Sequence, residues 1–278
     1  MAAVTVANVT AENLPDLLLC VPPEKRSLPA LETGIEAKRQ WALAMLNRSG
    51  TFGKIAYKGS VPTGLIQFGP LASYRGVYIY CLYVAERAHW RQGIGTKLLA
   101  SLIDDIVRPH AWFGYRPALA LLARPLPGEK AGQFPARSFY LWRGFRPIDG
   151  SGTLYYPLST DVSLAGLREA ARSGVPDGLW GSGEADYIPM AEDRGKAVLI
   201  FGPCACPYTY TFLQRAEQYV RDLAPEISVR WIAALDEPSE VERRGGFIGC
   251  VVNARPIKTF VLDKQGFQRE VRQALGTT

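Results

Sequence analysis

The stretch from Tyr78 to Leu99 constrains this chain more than any other. It begins as a run of aromatic and β-branched residues over 77–84, the composition of a central strand. Within ten residues it reaches Gly93-Ile94-Gly95, after which Ile94, Leu98, Leu99, Leu102, Ile103 and Ile106 recur at helical spacing. A strand feeding a glycine-opened helix predicts an α/β unit whose turn exposes the first backbone amides of the helix. Those amides, with the partial positive charge of the helix end, suit a phosphate or pyrophosphate. Glycine serves such a turn because the chain must bend sharply and approach a ligand without a Cβ in the way. The candidate ligand-binding residues are therefore Trp90, Arg91, Gln92, Gly93, Ile94, Gly95 and Thr96. By itself a Gly-x-Gly also fits two ordinary turn glycines.

The pattern on either side extends the α/β reading. A strand over 4–9, helices over 12–20 and 32–46, and strands over 53–57 and 64–68 precede the central run. A strand over 118–123, a Pro- and Gly-rich loop at 125–135, a short helix over 136–143 and closing strands through 156 come after it. At 278 residues the chain is long for one domain, and 47% hydrophobic with 21% charged residues is a globular rather than a disordered composition. The expected division is a first domain at 1–157, a linker with a short helix at 158–195 and a second domain at 196–278. The second reads strand 197–201, helix 208–223, strand 227–233, a hairpin from 247–253 into 257–262, and helix 264–275. No apolar stretch approaches the roughly 20 residues of a membrane span. The first twenty residues hold Glu12 and Asp16 but no Lys or Arg, unlike a secretory leader, so a cytoplasmic location and no membrane partner are expected.

The run 84–99 resembles the acyl-coenzyme A loop of the GNAT acyltransferases, Arg/Gln-x-x-Gly-x-Gly/Ala, with Trp90, Gly93 and Gly95 at the matching positions and Trp90 departing from the first. Ala136-Arg137-Ser138-Phe139-Tyr140-Leu141-Trp142-Arg143-Gly144-Phe145 is similar to the late helix and Gly-Phe turn of that family. The resemblance implies a mixed sheet with splayed central strands, opening a cleft where Leu82, Tyr83 and Val84 hold the pantetheine arm through their backbone. It implies acyl-CoA, in the first instance acetyl-CoA, as donor and a small-molecule amine as acceptor, with no metal. It further implies that Tyr140 protonates the departing thiolate. The family often places a carboxylate base on the central strand, but 77–84 contains none; Cys81, a water chain and Glu36 from the second helix are the alternatives. The acceptor pocket is expected near 20–40 and 125–135.

Five cysteines are too sparse and odd in number for a disulfide scaffold. Gly202-Pro203-Cys204-Ala205-Cys206-Pro207-Tyr208-Thr209 places Cys206 between a strand and a helix, where a helix N-terminus stabilises a thiolate. The segment resembles the Cys-Pro-Tyr-Cys corner of glutaredoxins, with Thr209 at the second cysteine, and implies a small thioredoxin-like α/β domain. The whole is similar to a bacterial group of GNAT proteins with a YoaP-type C-terminal domain. Cys204, Cys206 and Cys250 remain open to thiol redox chemistry, to a three-thiolate site for a soft metal, or to neither.

Charge supplies a further alternative. Residues 1–157 carry 18 Lys/Arg and 10 Asp/Glu, a surplus of eight, against a net +6 for the chain. That surplus fits a phosphate-bearing donor, whether coenzyme A or an aminoacyl-tRNA in the same cleft, and equally a solvated surface. Trp90 adds a ring on which a base could stack.

Overall fold

The computed structural model describes residues 3–71, 74–125, 134–148, 152–172 and 187–277. They divide into two compact units: Met1–Glu24 with Ala42–Arg172, and Lys25–Trp41 with Ser173–Thr278. By contact the segment Lys25–Trp41 groups with the C-terminal residues, and α4 (Leu164–Arg172) with the first unit. Much of the expected linker, 173–186, and most of the 125–135 loop lie outside the described residues.

In the first unit the chain runs through β1 (Val4–Asn8), a 3-10 segment Leu14–Cys20 and the end of helix α1 (Pro29–Ser49). It continues through β2 (Gly53–Lys58), β3 (Val61–Pro70), β4 (Gly76–Val84) and α2 (Ile94–Ile106). The remainder is β5 (Ala120–Ala123), α3 (Ala136–Trp142), β6 (Arg146–Pro147), β7 (Leu154–Pro157) and α4. The seven strands form one mixed sheet in the order β1-β2-β3-β4-β5-β7-β6, in which only β4 and β5 run parallel. The helix expected at 12–20 is a 3-10 segment, with a proline in its first turn.

Strand β4 is irregular on both sides. Its register against β3 slips between Gln67↔Cys81 and Phe68↔Ile79, which leaves Tyr80 as the extra residue of a bulge. Pairing with β5 covers only Gly76–Ile79 against Ala120–Ala123, so β4 continues to Val84 without that neighbour. The central strands splay there, as the resemblance implies. One sheet face is closed by α2 and α3: Ile94, Leu98, Leu99, Leu102, Ile106, Tyr140 and Phe145 bury against Ile66, Phe68, Val77, Ile79 and Leu121.

The second unit has a sheet in the order β11-β10-β8-β9, from β8 (Lys196–Phe201), β9 (Ser228–Ala233), β10 (Gly249–Val252) and β11 (Arg255–Ile257). Strands β8 and β9 are parallel, while β10 runs antiparallel to both β8 and β11. Helices α5 (Thr209–Leu223), α6 (Pro238–Arg243) and α7 (Lys264–Leu275) connect and cover them. The hairpin is tighter than its sequence suggests. Asn253 and Ala254 both take positive φ, giving a two-residue turn that pairs Val252 with Arg255 and ends the return strand at Ile257.

Candidate active-site cleft

The loop after β4 is fixed to the strand it leaves. The Trp90 indole N–H donates to the Val84 carbonyl at 3.2 Å, and the Ala85 amide donates to Thr63 O at 3.0 Å. The backbone then passes through two left-handed residues, Arg91 (φ 60°) and Gly93 (φ 76°), before α2 begins. Nothing lies within 4 Å of where a Gly93 Cβ would stand, so glycine is used here for its backbone angle. Gly95 is used for contact: its Cβ would lie 3.2 Å from Leu82 Cδ2 and 3.6 Å from the Phe139 ring.

The first backbone bond of α2 runs from Lys97 N to Gly93 O at 3.0 Å. The amides of Ile94, Gly95 and Thr96 precede it and meet no acceptor among the described residues. They border a cleft of about 570 Å³ lined by Leu82, Val84, Trp90, Arg91, Gly93, Ile94, Gly95, Thr96 and Tyr140 of the residues nominated from sequence. The lining also includes His89, Phe134, Ala136, Phe139, Trp142 and Arg143, which sequence reasoning did not assign to it. Their signal was available: Arg143 follows Tyr140 by three positions, one helical turn on the same face.

Tyr140 is 6% exposed and held between Phe139 and Phe145, with ring centroids at 5.4 and 4.9 Å in edge-on contacts. Burial, with smaller contributions from Cys81 and Tyr78, pushes its hydroxyl well above the ordinary tyrosine value, so it stays protonated. That is the state a proton donor requires.

The other nominated residues are distributed differently. Cys81 and Tyr83 are half-buried on β4 outside the cleft lining; the Tyr83 hydroxyl donates to Ala85 O at 3.4 Å, and burial raises its pKa. Gln92 also lies outside the lining, its amide nitrogen donating to Ala88 O. Glu36 falls in the second unit. Its carboxylate accepts from Arg39 at 2.7 and 2.8 Å and from Gln40 at 2.9 Å, and the Arg39 bonds hold it below the ordinary carboxylate range. A base so stabilised in its charged form is a poor proton acceptor. Trp90, considered as a stacking surface, has its N–H committed to β4 and acts as a brace.

The thiols do not form one site. Cys204 and Cys250 are fully buried in the core between β8, β10, α5 and α7, while Cys206 is half-buried outside it. Burial pushes Cys204 up to about 11 and raises Cys250 further. Among the described residues no three His, Cys, Asp or Glu side chains form a group able to hold a metal, which corrects the three-thiolate alternative. Helix α5 starts at Thr209, two residues beyond Pro207, so Cys206 precedes the helix by a full turn. No helix of the described residues is long and apolar enough to cross a membrane.

Residues 14–126 match the family described as acetyltransferase (GNAT) family, and that segment is a GNAT acetyltransferase domain. Tyr140 lies beyond the matched segment. No curated protein matches the chain. Among solved structures, a GNAT family acetyltransferase from Brucella melitensis in complex with acetyl-CoA is 14% identical, covers 59% of this chain and 93% of its own, and has a TM-score of 0.39. The PaiA N-acetyltransferase from Thermoplasma acidophilum in complex with coenzyme A is 17% identical, covers 56% and 99%, and has a TM-score of 0.41. N-acetylglutamate synthase from Neisseria gonorrhoeae, complexed with coenzyme A and N-acetylglutamate, is 17% identical, covers 57% and 36%, and has a TM-score of 0.38.

Proposed function

We propose that this acyltransferase moves an acyl group, acetyl in the first instance, from acyl-CoA to the amine of a small molecule. The observation that carries the reading is the set of unpaired amides at Ile94, Gly95 and Thr96 on the wall of an open cleft that Tyr140 also lines. The donor's pyrophosphate answers those amides. Its pantetheine arm lies along Leu82–Val84, where β4 has lost β5 as a neighbour, although the Val84 carbonyl is already taken by the Trp90 indole.

The chemistry is set by where charge appears. A neutral amine attacks the thioester carbonyl, a C–N bond forms, and the carbonyl oxygen takes negative charge that backbone N–H groups of the splayed strand can meet. As the C–S bond breaks, the sulfur leaves as a thiolate unless it receives a proton. Tyr140 supplies that proton and is recharged from solvent. The amine's own proton passes to water; Cys81, the candidate that β4 itself carries, could take it only as a thiolate and lies outside the cleft lining.

In the second unit, the strand order β11-β10-β8-β9 with parallel β8 and β9 is consistent with a thioredoxin-like scaffold. Isothermal titration with acetyl-CoA and with CoA tests the acyl-transfer reading. Binding of both in the micromolar range is expected, and absence of heat with either one refutes it.

A further inference from the structure

Resting on the acyl-CoA reading of the cleft, we propose that Trp142 and Arg143 form a nucleotide clamp: the Trp142 ring stacks the donor's adenine, and the Arg143 guanidinium meets a donor phosphate beside the α2 amides. Trp142 closes α3 and is 71% exposed, the most exposed of the cleft's apolar lining residues. A large ring left open to water on the wall of a cleft is costly unless something covers it. Its orientation is held from one side only, because the Arg143 guanidinium carbon stands 4.2 Å from its centroid. The opposite face is open, and a flat aromatic face accepts any base by stacking.

Arg143 is itself pinned. Its Nη2 donates to the Thr96 hydroxyl in the first turn of α2, beside amides that have no acceptor among the described residues. Its Nε is shielded from solvent yet meets no acceptor among the described residues. An N–H of a guanidinium left unpaired in a cleft wall is expensive, and a phosphate oxygen is the partner its fork geometry fits best. His89, also on the lining, repeats the observation: its Nδ1 is buried and has no partner among the described residues either. Three α2 amides, one fixed guanidinium and one exposed indole therefore share one cleft, and a purine nucleotide carrying a diphosphate satisfies all of them together. Trp90, the aromatic that the sequence singles out, has its indole N–H tied to the Val84 carbonyl and so braces the loop against β4.

The test is calorimetric titration of the full chain with CoA and, separately, with 5′-ADP, using wild type, Trp142→Ala, Trp142→Phe and Arg143→Met. Trp142→Ala weakens both ligands roughly tenfold and Trp142→Phe restores most of the loss, as stacking requires. Arg143→Met also weakens both roughly tenfold at low salt, with the deficit shrinking at high salt because the lost contact is ionic. Unchanged melting temperatures separate these losses from misfolding. An affinity for Trp142→Ala within about twofold of wild type overturns the clamp, as does a loss that Trp142→Phe fails to repair. If wild type binds ADP but not CoA, the clamp stands and the acyl-transfer reading falls; if CoA binds and the variants bind it equally well, the reverse holds.

Discussion

Replacing Tyr140 by Phe removes one oxygen and almost nothing else, which makes it the sharpest probe of the chemistry. The Phe139 and Phe145 contacts at 5.4 and 4.9 Å are made by the ring and survive. No protein group among the described residues loses a partner, because none is bonded to the hydroxyl. A volume-conserving change of that kind costs under about 1.5 kcal/mol, so the melting curve and the CoA affinity stay close to wild type. Turnover should fall, by roughly a hundredfold to ten-thousandfold, the usual contribution of a positioned general acid. Loss in kcat with KM preserved is the signature of an interaction made only in the transition state. Burial fixes the pH behaviour as well. With its pKa raised above the ordinary value of about 10, Tyr140 keeps its proton as pH climbs toward that value, so the wild-type rate rises with amine deprotonation and shows no alkaline fall below about pH 10. Thiol release from acetyl-CoA, followed with a chromogenic disulfide reagent and corrected for the enzyme's own cysteines, measures both. A variant within about threefold of wild-type kcat would mean that the leaving sulfur takes its proton elsewhere.

Three further outcomes are expected. Gly34→Ala drives a Cβ to 1.8 Å from the Pro207 carbonyl oxygen, a backbone atom that cannot swing away, so the second unit should lose on the order of 1–3 kcal/mol and its melting temperature should drop; an unchanged melt would show that the helix moves freely there. Asp193→Asn leaves the fully buried Arg244, bonded to that carboxylate at 2.7 and 2.8 Å, without its main counter-charge, at a cost of about 3–5 kcal/mol. Burial pushes Asp193 up, but the Arg244 and Tyr187 bonds outweigh it and its pKa is lowered, so its stabilisation is present above the ordinary value of about 3.9 and lost as pH falls below it; acid melts of the variant should lack that limb. Native labelling with iodoacetamide at pH 8 should modify Cys206 and spare Cys204, whose pKa of about 11 leaves about a thousandth as thiolate, and equal labelling read by mass spectrometry contradicts this burial.

The parts of the cleft that were legible from sequence are those set by the backbone. Two glycines after an apolar strand already imply free amides, because a helix start leaves them unpaired whatever the side chains are. The splay of β4 from β5 was legible only through the resemblance, since nothing in the run Tyr78–Val84 marks where β5 stops at Ala123. Side-chain roles that depend on tertiary contact were not legible. Trp90 reads as an untethered side chain until its indole N–H is seen bonded to the Val84 carbonyl, and Arg143 reads as an ordinary helix-end cation until Thr96 is found against it. The surroundings of Glu36 were hidden for the same reason: its spacing to Arg39 and Gln40 shows that they can pair, but the grouping of Lys25–Trp41 with residues more than a hundred positions later is not a local property.

The thiol corner shows what such a contact does to a motif. Thr209, standing where a glutaredoxin has its resolving cysteine, is 2% exposed and gives both its amide and its hydroxyl to the Cys206 carbonyl, at 3.2 and 2.9 Å. The Cys204 thiol donates to the same carbonyl at 3.2 Å. Three donors on one oxygen make a tight cap ahead of α5. Disulfide exchange needs an attacking thiolate and a second sulfur able to reach it in line. Cys204 is protonated and Cys250 sits in the core, so neither can resolve a bond formed at Cys206 without opening the unit. Within the same unit Gly34 presses on the Pro207 carbonyl, Ala37 joins the core and Lys38 is buried, which leaves the corner covered by the segment Lys25–Trp41. On this geometry the corner packs against that helix, and a dithiol cycle at Cys206 would have to break the contact first.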